Sequence, residues 1–400
     1  MTVADFAAQP TASPPTRRPP LAGPLGRLAS RVYARVIARR NRAWDRGEGV
    51  ITFDRPVISV GNLSVGGTGK TPAVLRLIRA LLDDQRRPCV AMRGYASPTG
   101  RGEDSDEARL YAAAFPGVPI VAQPNRVEGL LDLFAAERGR AVDCVLLDDG
   151  FQHRRVARQC DIVLIDATRS PFDDALLPAG WLREPVASLA RAHAVLLTHA
   201  DRAGRERVAA LARRVREVLP PRAVVAACAH AWGGFTRHDP GTDDRNAAGA
   251  PVAAPVGALR GRRVFAACAI GNPDPFLDAA RGACAGPLAG ALILRDHDPY
   301  APPTLARLVE ALQRTRAEAL LVTPKDWTKL DAVHPARWPC PVYVPTLDLR
   351  FESGEHELLG LVREAAGLDL SEPRAHDEEG SGGESDRDVE PDAPTRPTAG

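Results

Sequence analysis

The sequence predicts an α/β fold, in which helices cover a mainly parallel sheet and a second, smaller α/β domain follows. Three observations lead to this prediction. Short apolar strands alternate with helical stretches from residue 57 onwards, as in consecutive βαβ units. A polar stretch at 235–260 interrupts the alternation before it resumes. The length of 400 residues is also more than one compact core usually holds.

The first predicted element is a basic helix that follows an unstructured start. Residues 1–22 are rich in Pro, Ala and Thr and are predicted to be disordered. Residues 25–43 form a helical pattern with apolar residues on one face and arginines on another: Leu25, Leu28, Val32 and Val36 against Arg27, Arg31, Arg35 and Arg42. Two interpretations stay open. The helix packs on its own domain, or it lies on an anionic membrane surface.

The remaining elements divide the chain into two predicted domains, at 23–234 and 261–368, with a connector or inserted hairpin at 235–260. Strands of the first domain are expected at Val57–Val60, Cys89–Met92, Ile120–Ala122, Val142–Leu147, Asp161–Ile165 and Ala194–Thr198, with helices after Lys70, Asp106, Asn125 and Ala203. The second domain is expected to have strands near Arg263–Cys268, Ala289–Leu294 and Ala319–Thr323, with helices near 274–284 and 304–316. Residues 369–400 are acidic and without periodicity, which predicts a disordered tail.

Composition narrows the classes of function. The net charge of +2 does not point to nucleic acid, and no feature of the sequence indicates a protein partner. Seven scattered cysteines without a CxxC pair fit a reducing, cytosolic setting. The sequence contains no run of about 18 apolar residues, so it predicts no membrane-spanning helix.

The stretch "VISVGNLSVGGTGKTP" (57–72) predicts a phosphate-binding loop between a strand and a helix. The loop residues are Ser64, Val65, Gly66, Gly67, Thr68, Gly69, Lys70 and Thr71, with Ser64 where the usual pattern has its first glycine. The glycines let backbone N–H groups point at phosphate, and Lys70 neutralises the β- and γ-phosphates. The Thr71 hydroxyl is the expected ligand of Mg²⁺. The first domain is therefore predicted to be of the P-loop NTPase type.

Asp148 and Asp149, at the end of a buried strand in "LLDDGFQHRR", are the predicted acidic partners of the loop. One carboxylate is expected to order the Mg²⁺ shell and the other to face the reacting oxygen or a water molecule, in an order that the sequence leaves open. The alternative is a polar strand end with a helix cap. His153 nearby is at least as consistent with a structural hydrogen bond as with catalysis.

Two related classes of nucleotide-binding protein are disfavoured, each because one residue of its characteristic motif is missing. A MinD-like ATPase carries a signature lysine where this chain has Val65. A GTPase reads guanine with [NT]-K-x-D, and the nearest match here, "THAD" (198–201), has His199 in place of the lysine.

A set of ordered motifs resembles the tetraacyldisaccharide 4'-kinase (lipid A 4'-kinase) family over roughly residues 25–366. Besides the P-loop stretch and "LLDDGFQHRR", the motifs are "RGYAS" (93–97), "SDEARL" (105–110), "LLPAGWLREP" (176–185), "AIGNPDPF" (269–276), "RDHDPY" (295–300) and "LLVTPKDWTKL" (320–330). The family tolerates a serine at the first P-loop position. The resemblance implies transfer of the γ-phosphoryl group of ATP to the 4'-hydroxyl of the lipid A disaccharide precursor. It also implies a peripheral protein at the cytoplasmic face of the inner membrane, whose second domain closes over the nucleotide.

The resemblance further implies catalytic roles for Asp106 and His297, with Lys70 and Asp149. Asp106 and His297 match the pair that takes the proton from the acceptor hydroxyl. Alternatively, Asp106 caps a helix and His297 braces a loop. Asp298 stands where the family commonly has a second histidine, which puts any role of that position in doubt.

The remaining predictions concern two lysines, two arginines and the alternative functions. Lysine occurs only at Lys70, Lys325 and Lys329, so one of the latter two is expected to face the interdomain cleft. Arg93 and Arg126 are assigned equally to ligand contact or to surface ion pairs. The alternative functions are a P-loop kinase for another glycolipid or sugar acceptor, and a nucleotide-dependent ATPase switch.

Overall fold

The structure is a computed structural model that describes residues 19–66, 68–94, 106–241, 251–271, 273–296, 298–331, 333 and 337–368. Of Asp106 only the backbone is described. Gly67 and His297 lie outside the described residues, as do residues 1–18 and the tail predicted at 369–400.

Helices and strands alternate along the chain. The amino-terminal part contains α1 (Gly23–Asp45), β1 (Val57–Asn62), α2 (Lys70–Asp83), β2 (Pro88–Met92), α3 (Asp106–Ala114), β3 (Ile120–Ala122), α4 (Arg126–Ala135), β4 (Cys144–Asp148), β5 (Cys160–Asp166), β6 (Ala194–Thr198), α5 (Ala200–Ala203) and α6 (Arg205–Arg216). The carboxyl-terminal part contains β7 (Val224–His238), β8 (Val252–Ala254), β9 (Val264–Cys268), α7 (Asp274–Cys284), β10 (Gly290–Ile293), α8 (Pro302–Arg314), β11 (Ala319–Val322), α9 (Pro324–Leu330), β12 (Val342–Ser353) and α10 (Glu355–Ala365).

The described strands form a single mainly parallel sheet, which confirms the predicted α/β class. The strand order is β10-β9-β11-β12-β7-β6-β5-β1-β4-β2-β3, with β8 beside β7. Pairing is antiparallel between β7 and β12 and between β7 and β8, and parallel at the other strand pairs. The apolar runs of β1, β4 and β5 are buried because helices cover both faces of a parallel sheet.

The long antiparallel pair of β7 and β12 joins the two parts of the sheet, and the sequence did not predict it. Its register runs from Val342 opposite His238 to Ser353 opposite Ala227, with two irregularities. Pro345 lies inside β12, although proline normally argues against a sheet interior. The alanine-rich first half of β7 also lacks the β-branched alternation of a typical strand.

Helix α1 leaves its apolar face uncovered. Leu25, Leu28, Val32 and Val36 are 65, 57, 53 and 58% exposed. Its other side packs on the loop after β5, where Ser30 Oγ donates to the Leu176 carbonyl (2.8 Å) and Tyr33 OH donates to the Arg183 carbonyl (2.9 Å). The helix therefore packs on the protein through one side and presents an apolar stripe on the other. Among the described residues, no helix has both the length and the apolar character that crossing a bilayer requires.

Candidate active site

The P-loop connects the end of β1 to the start of α2, as predicted, and side chains beneath it hold its shape. Buried Asn62 donates from Nδ2 to Thr68 Oγ1 (3.0 Å), and Thr198 Oγ1 at the end of β6 donates to the Thr68 carbonyl (3.0 Å). The backbone N–H of Val65 donates to the Trp181 carbonyl (2.8 Å). These bonds fix the loop because both its side chains and its backbone have partners in neighbouring strands and loops.

Gly69 is required at its position for two reasons. Its φ is +80°, a left-handed conformation in which glycine is the least strained residue. A Cβ atom there would lie 2.0 Å from Nε2 of His230, so no other residue fits without displacing that imidazole. The loop backbone thereby approaches the strand ends more closely than a side chain permits.

Lys70 and the acidic pair converge at the start of α2. The register of β1 and β4 pairs Val60 with Asp148, which brings the strand end beside the loop. The next residue, Asp149, has φ +53°, so the chain turns sharply and the two carboxylates point in different directions. The ammonium of Lys70 lies 3.3 Å from Oδ1 of Asp149. The structure therefore brings Lys70, Asp148 and Asp149 together at the start of α2.

Two cations hold Asp149 in its charged form. Besides Lys70, Nη1 of Arg183 contacts both carboxylate oxygens of Asp149, at 3.0 and 2.8 Å. Burial opposes ionisation, but Lys70 and Arg183 outweigh it and lower the pKa of Asp149 below its usual value. Asp149 is consequently an anion whose charge is already balanced by protein groups.

Asp148 has a different environment. It is 5% exposed, and burial raises the pKa of its carboxyl. Tyr111 OH donates to Oδ2 (2.9 Å). Oδ1 has no hydrogen-bond partner among the described residues. A buried carboxylate oxygen without a partner is costly, which makes this atom a candidate ligand for a cation.

A cleft of about 1540 Å³ opens above these groups and is lined from both parts of the sheet. The P-loop side contributes Lys70, Thr71, Asp148, Asp149 and Arg183; the opposite wall contributes Phe276, Asp296, Thr323 and Lys325. The presence of Lys325 agrees with the expectation for one of the two downstream lysines. Its Nζ donates to Oδ1 of Asp296 (3.1 Å), whereas Lys329 donates to the Asp298 carbonyl (3.0 Å).

The predicted proton-transfer pair is not described. The structure gives only the backbone of Asp106, as the first residue of α3, and does not describe His297. The next residue in α3, Glu107, lines the cleft. Burial and the nearby Asp148 raise the pKa of Glu107. The roles of Asp106 and His297 stay predictions.

Other polar residues near the site have structural contacts. Arg126 is 3% exposed and donates to the Asp149 carbonyl (3.1 Å), so it supports the turn that carries that carboxylate. Gln152 donates to the Asn62 carbonyl (2.9 Å) beneath the loop. Burial, with Arg126 nearby, lowers the pKa of His153 to about 4. None of these three lines the cleft, whereas Arg93 does.

Sequence reasoning missed Tyr111 and Arg183 as site residues. Tyr111 looks like an apolar-face residue of an amphipathic helix, and only the fold brings its hydroxyl to Asp148. Arg183 lies within the motif "LLPAGWLREP", but no spacing rule connects that segment to Asp149. Its placement depends on the backbone bond from the Arg183 N–H to the Leu63 carbonyl (2.7 Å).

Known proteins are similar to this chain in sequence and in fold. The family model described as "Tetraacyldisaccharide-1-P 4'-kinase" matches residues 23–364. A tetraacyldisaccharide 4'-kinase of Anaeromyxobacter sp. (strain K) is 36% identical over 333 residues, covering 78% of this chain and 84% of that protein. Another, of Geobacter sulfurreducens, is 34% identical over 343 residues, covering 82% of this chain and 90% of that protein.

A solved structure of a related protein has a similar fold. The crystal structure of LpxK from Aquifex aeolicus in complex with ATP is similar with a TM-score of 0.61 and 27% identity, covering 84% of this chain and 96% of that chain. Similarity of this extent, over the P-loop half and the carboxyl-terminal half together, goes beyond a shared P-loop. The chain belongs to the tetraacyldisaccharide 4'-kinase family.

Proposed function

We propose that this protein transfers the γ-phosphoryl group of ATP to the 4'-hydroxyl of the tetraacyl disaccharide 1-phosphate precursor of lipid A. The observation that carries the proposal is the convergence of Lys70, Asp148, Asp149 and Arg183 at one cleft, in a chain of this family. Phosphoryl transfer needs mainly positioning and charge stabilisation, and this cluster supplies both. ATP is the donor because the related LpxK structure contains it.

Lys70 and Arg183 are the cations that act on the transferring group. Both contact Asp149, which holds their side chains at the edge of the cleft before any ligand binds. A cation that is already oriented needs no reorganisation when charge develops on the phosphoryl oxygens. Asp149 thus orients the two cations, and it is the carboxylate proposed to face the reacting oxygen or a water molecule.

The residues at the cleft also fit Mg²⁺, with Asp148 rather than Asp149 as its direct carboxylate. Oδ1 of Asp148 is buried and has no partner among the described residues, whereas both oxygens of Asp149 contact Arg183. The Thr71 hydroxyl is the second expected ligand, and Thr71 lines the same cleft as Asp148. The described part of the chain has no group of three or more His, Cys, Asp or Glu side chains able to hold a metal. Mg²⁺ commonly takes one or two protein ligands with waters and substrate phosphates, and it neutralises phosphate charge when bound.

Asp106 and His297 are proposed to accept the proton of the 4'-hydroxyl. The support is their match to the family's pair, since a histidine oriented by a carboxylate is an effective base at neutral pH. Within this proposal the acceptor hydroxyl lies between the phosphoryl group and that pair.

The decisive measurement uses the purified protein with Mg-ATP and the tetraacylated disaccharide 1-phosphate. We expect a product heavier by one phosphate group, with ADP formed in equal amount. Acceptor-independent ATP hydrolysis that responds to a protein partner would instead favour a nucleotide-dependent switch. Turnover with another glycolipid or sugar, and none with the disaccharide, would favour the other kinase alternative.

We further propose that residues 25–43 bind an anionic membrane surface at the cytoplasmic face of the inner membrane, where ATP is supplied. The support is the stripe of Leu25, Leu28, Val32 and Val36, exposed on a helix that is otherwise rich in arginine. Apolar side chains enter the boundary between headgroups and acyl chains, and arginines attract anionic lipid. A lipid-linked acceptor requires such contact because its acyl chains stay in the bilayer.

Charges placed in this stripe test the membrane contact. The variant Leu28→Glu/Val32→Glu is expected to weaken binding to vesicles containing anionic lipid by about tenfold or more. The reason is that a charged glutamate side chain resists transfer into the apolar part of the bilayer, and it also repels anionic headgroups. Flotation or sedimentation with vesicles measures this effect. Leu131→Glu is the matched control, since Leu131 is 54% exposed on α4. Equal binding by the α1 variant and the control would contradict the assignment. Vesicle binding by the unaltered protein that stays equally strong as the salt concentration is raised would also contradict the assignment.

A further inference from the structure

The segment 176–184, which carries Arg183, is hydrogen-bonded to the start of the P-loop. The backbone N–H of Arg183 donates to the Leu63 carbonyl (2.7 Å). The Val65 N–H of the loop donates in the other direction, to the Trp181 carbonyl (2.8 Å). The segment is therefore fixed to the loop that is proposed to hold the phosphates.

The same segment is also hydrogen-bonded to α1, through the face of that helix opposite its apolar stripe. The residues of this docking face recur every three or four positions, and they are buried or half-buried: Gly26, Ser30, Tyr33, Ile37 and Asn41. Its polar side chains donate to the segment: Ser30 to the Leu176 carbonyl (2.8 Å), Tyr33 to the Arg183 carbonyl (2.9 Å) and Asn41 to Oε2 of Glu184 (3.0 Å). These bonds explain how α1 docks through polar residues while its apolar stripe stays exposed.

Both main-chain polar groups of Arg183 are consequently bonded, the N–H to the start of the P-loop and the carbonyl to α1. Burial raises the pKa of Tyr33, so its hydroxyl stays protonated and remains a donor. From this doubly bonded backbone the guanidinium reaches both carboxylate oxygens of Asp149, at 3.0 and 2.8 Å. The orientation of the guanidinium therefore depends on a bond that α1 supplies.

We propose that Tyr33 is a positioning residue for phosphoryl transfer, which holds Arg183 where its guanidinium meets the transferring group. A displacement of about 1 Å in a reacting constellation costs on the order of 10²-fold in rate, so one backbone bond is sufficient to affect the rate. Helix α1 then has two roles, because one face contacts lipid and the other fixes Arg183. This inference rests on the proposed function, since it takes Arg183 as a cation that acts on the phosphoryl group.

Tyr33→Phe tests the inference, because it removes the hydroxyl and keeps the ring. We expect kcat to fall about tenfold while the KM for ATP changes less than about twofold, since the lost orientation matters mainly in the transition state. The acceptor is presented in neutral detergent micelles, so that binding to anionic vesicles does not enter the measured rate. The matched control is Thr315→Val, which removes another half-buried hydroxyl that donates to a backbone carbonyl, that of Ala311 (2.7 Å), away from the cleft. We expect its kcat to equal that of the unaltered protein, and a thermal melt verifies that both variants are folded.

Arg183→Lys distinguishes positioning of the guanidinium from a general effect on the fold. Lysine keeps the charge but has no planar fork to orient. Adding Tyr33→Phe to Arg183→Lys is therefore expected to lower kcat much less than Tyr33→Phe does in the unaltered chain.

Two results would overturn the inference: an unchanged kcat in Tyr33→Phe, or the same fold-loss with and without Arg183. The second result would mean that Tyr33 supports the fold and does not act through the guanidinium. If the unaltered protein transferred no phosphoryl group, the proposed function would fail as well. If it did, and Tyr33→Phe were equally active, only the positioning role would fail.

Discussion

Lys70→Ala is expected to lower kcat by about 10³-fold or more, because the oriented ammonium stabilises charge on the transferring group. Its side chain is only 19% exposed and lies 3.3 Å from Asp149. Folding is expected to be preserved, since Arg183 continues to balance the Asp149 carboxylate. Single-turnover transfer to the disaccharide acceptor and a thermal melt together measure the two effects.

Lys70→Arg is the matched control for the shape of the cation. Arginine keeps the charge but replaces a compact ammonium with a planar fork. In a chain that uses lysine at only three positions, we expect this variant to recover little of the lost rate. Activity of Lys70→Ala within tenfold of the unaltered protein would contradict the proposed role of the P-loop.

Asp148→Asn is expected to lower kcat/KM by about 10³-fold and to raise the Mg²⁺ concentration needed for half-maximal rate. The amide keeps the shape of the side chain and still accepts from Tyr111 OH. It removes a buried carboxylate with one unpartnered oxygen, so the melting temperature should stay the same or rise. Activity titrated with Mg²⁺ and a thermal melt separate the two consequences.

A surface carboxylate provides the comparison for this variant. Asp173→Asn makes the same chemical change in a 67% exposed side chain that pairs with Arg214, remote from the acidic pair. We expect it to leave both rate and Mg²⁺ dependence unchanged. Loss of melting temperature in Asp148→Asn with an unaltered Mg²⁺ requirement would assign Asp148 a structural role and contradict its assignment as a metal ligand.

Local patterns were sufficient for much of the fold. The buried strands β1, β4, β5 and β6 are short apolar runs, and each was predicted within about two residues of its bounds. The P-loop also follows from a local pattern, since its glycines and its strand-to-helix context are all within sixteen residues. Asp148 and Asp149, at the end of β4 and directly after it, could be assigned to the same site as the P-loop because neighbouring parallel strands end at the same edge of the sheet.

The features that the sequence did not predict depend on contacts distant in the chain. β7 and β12 pair across more than a hundred residues, and their alternation is broken by Pro345 and by two irregularities in register. Arg183 reaches Asp149 from a loop 34 residues away, and Tyr111 reaches Asp148 across 37. The exposure of the apolar face of α1 was also not predictable from the sequence. Periodicity shows which residues share a face of a helix, but it does not show which face packs against the protein.

The bond from Tyr33 to the Arg183 carbonyl has a further consequence for how deep a substrate headgroup must travel. Tyr33 OH donates to that carbonyl (2.9 Å), and the side chain of the same arginine contacts Asp149 (2.8 Å). Asp149 is therefore connected through a single residue, Arg183, to the helix that we propose to rest on lipid. If α1 rests on the leaflet as proposed, we expect the sugar to react while its fatty acids remain in the bilayer, so that the enzyme does not need to extract the molecule.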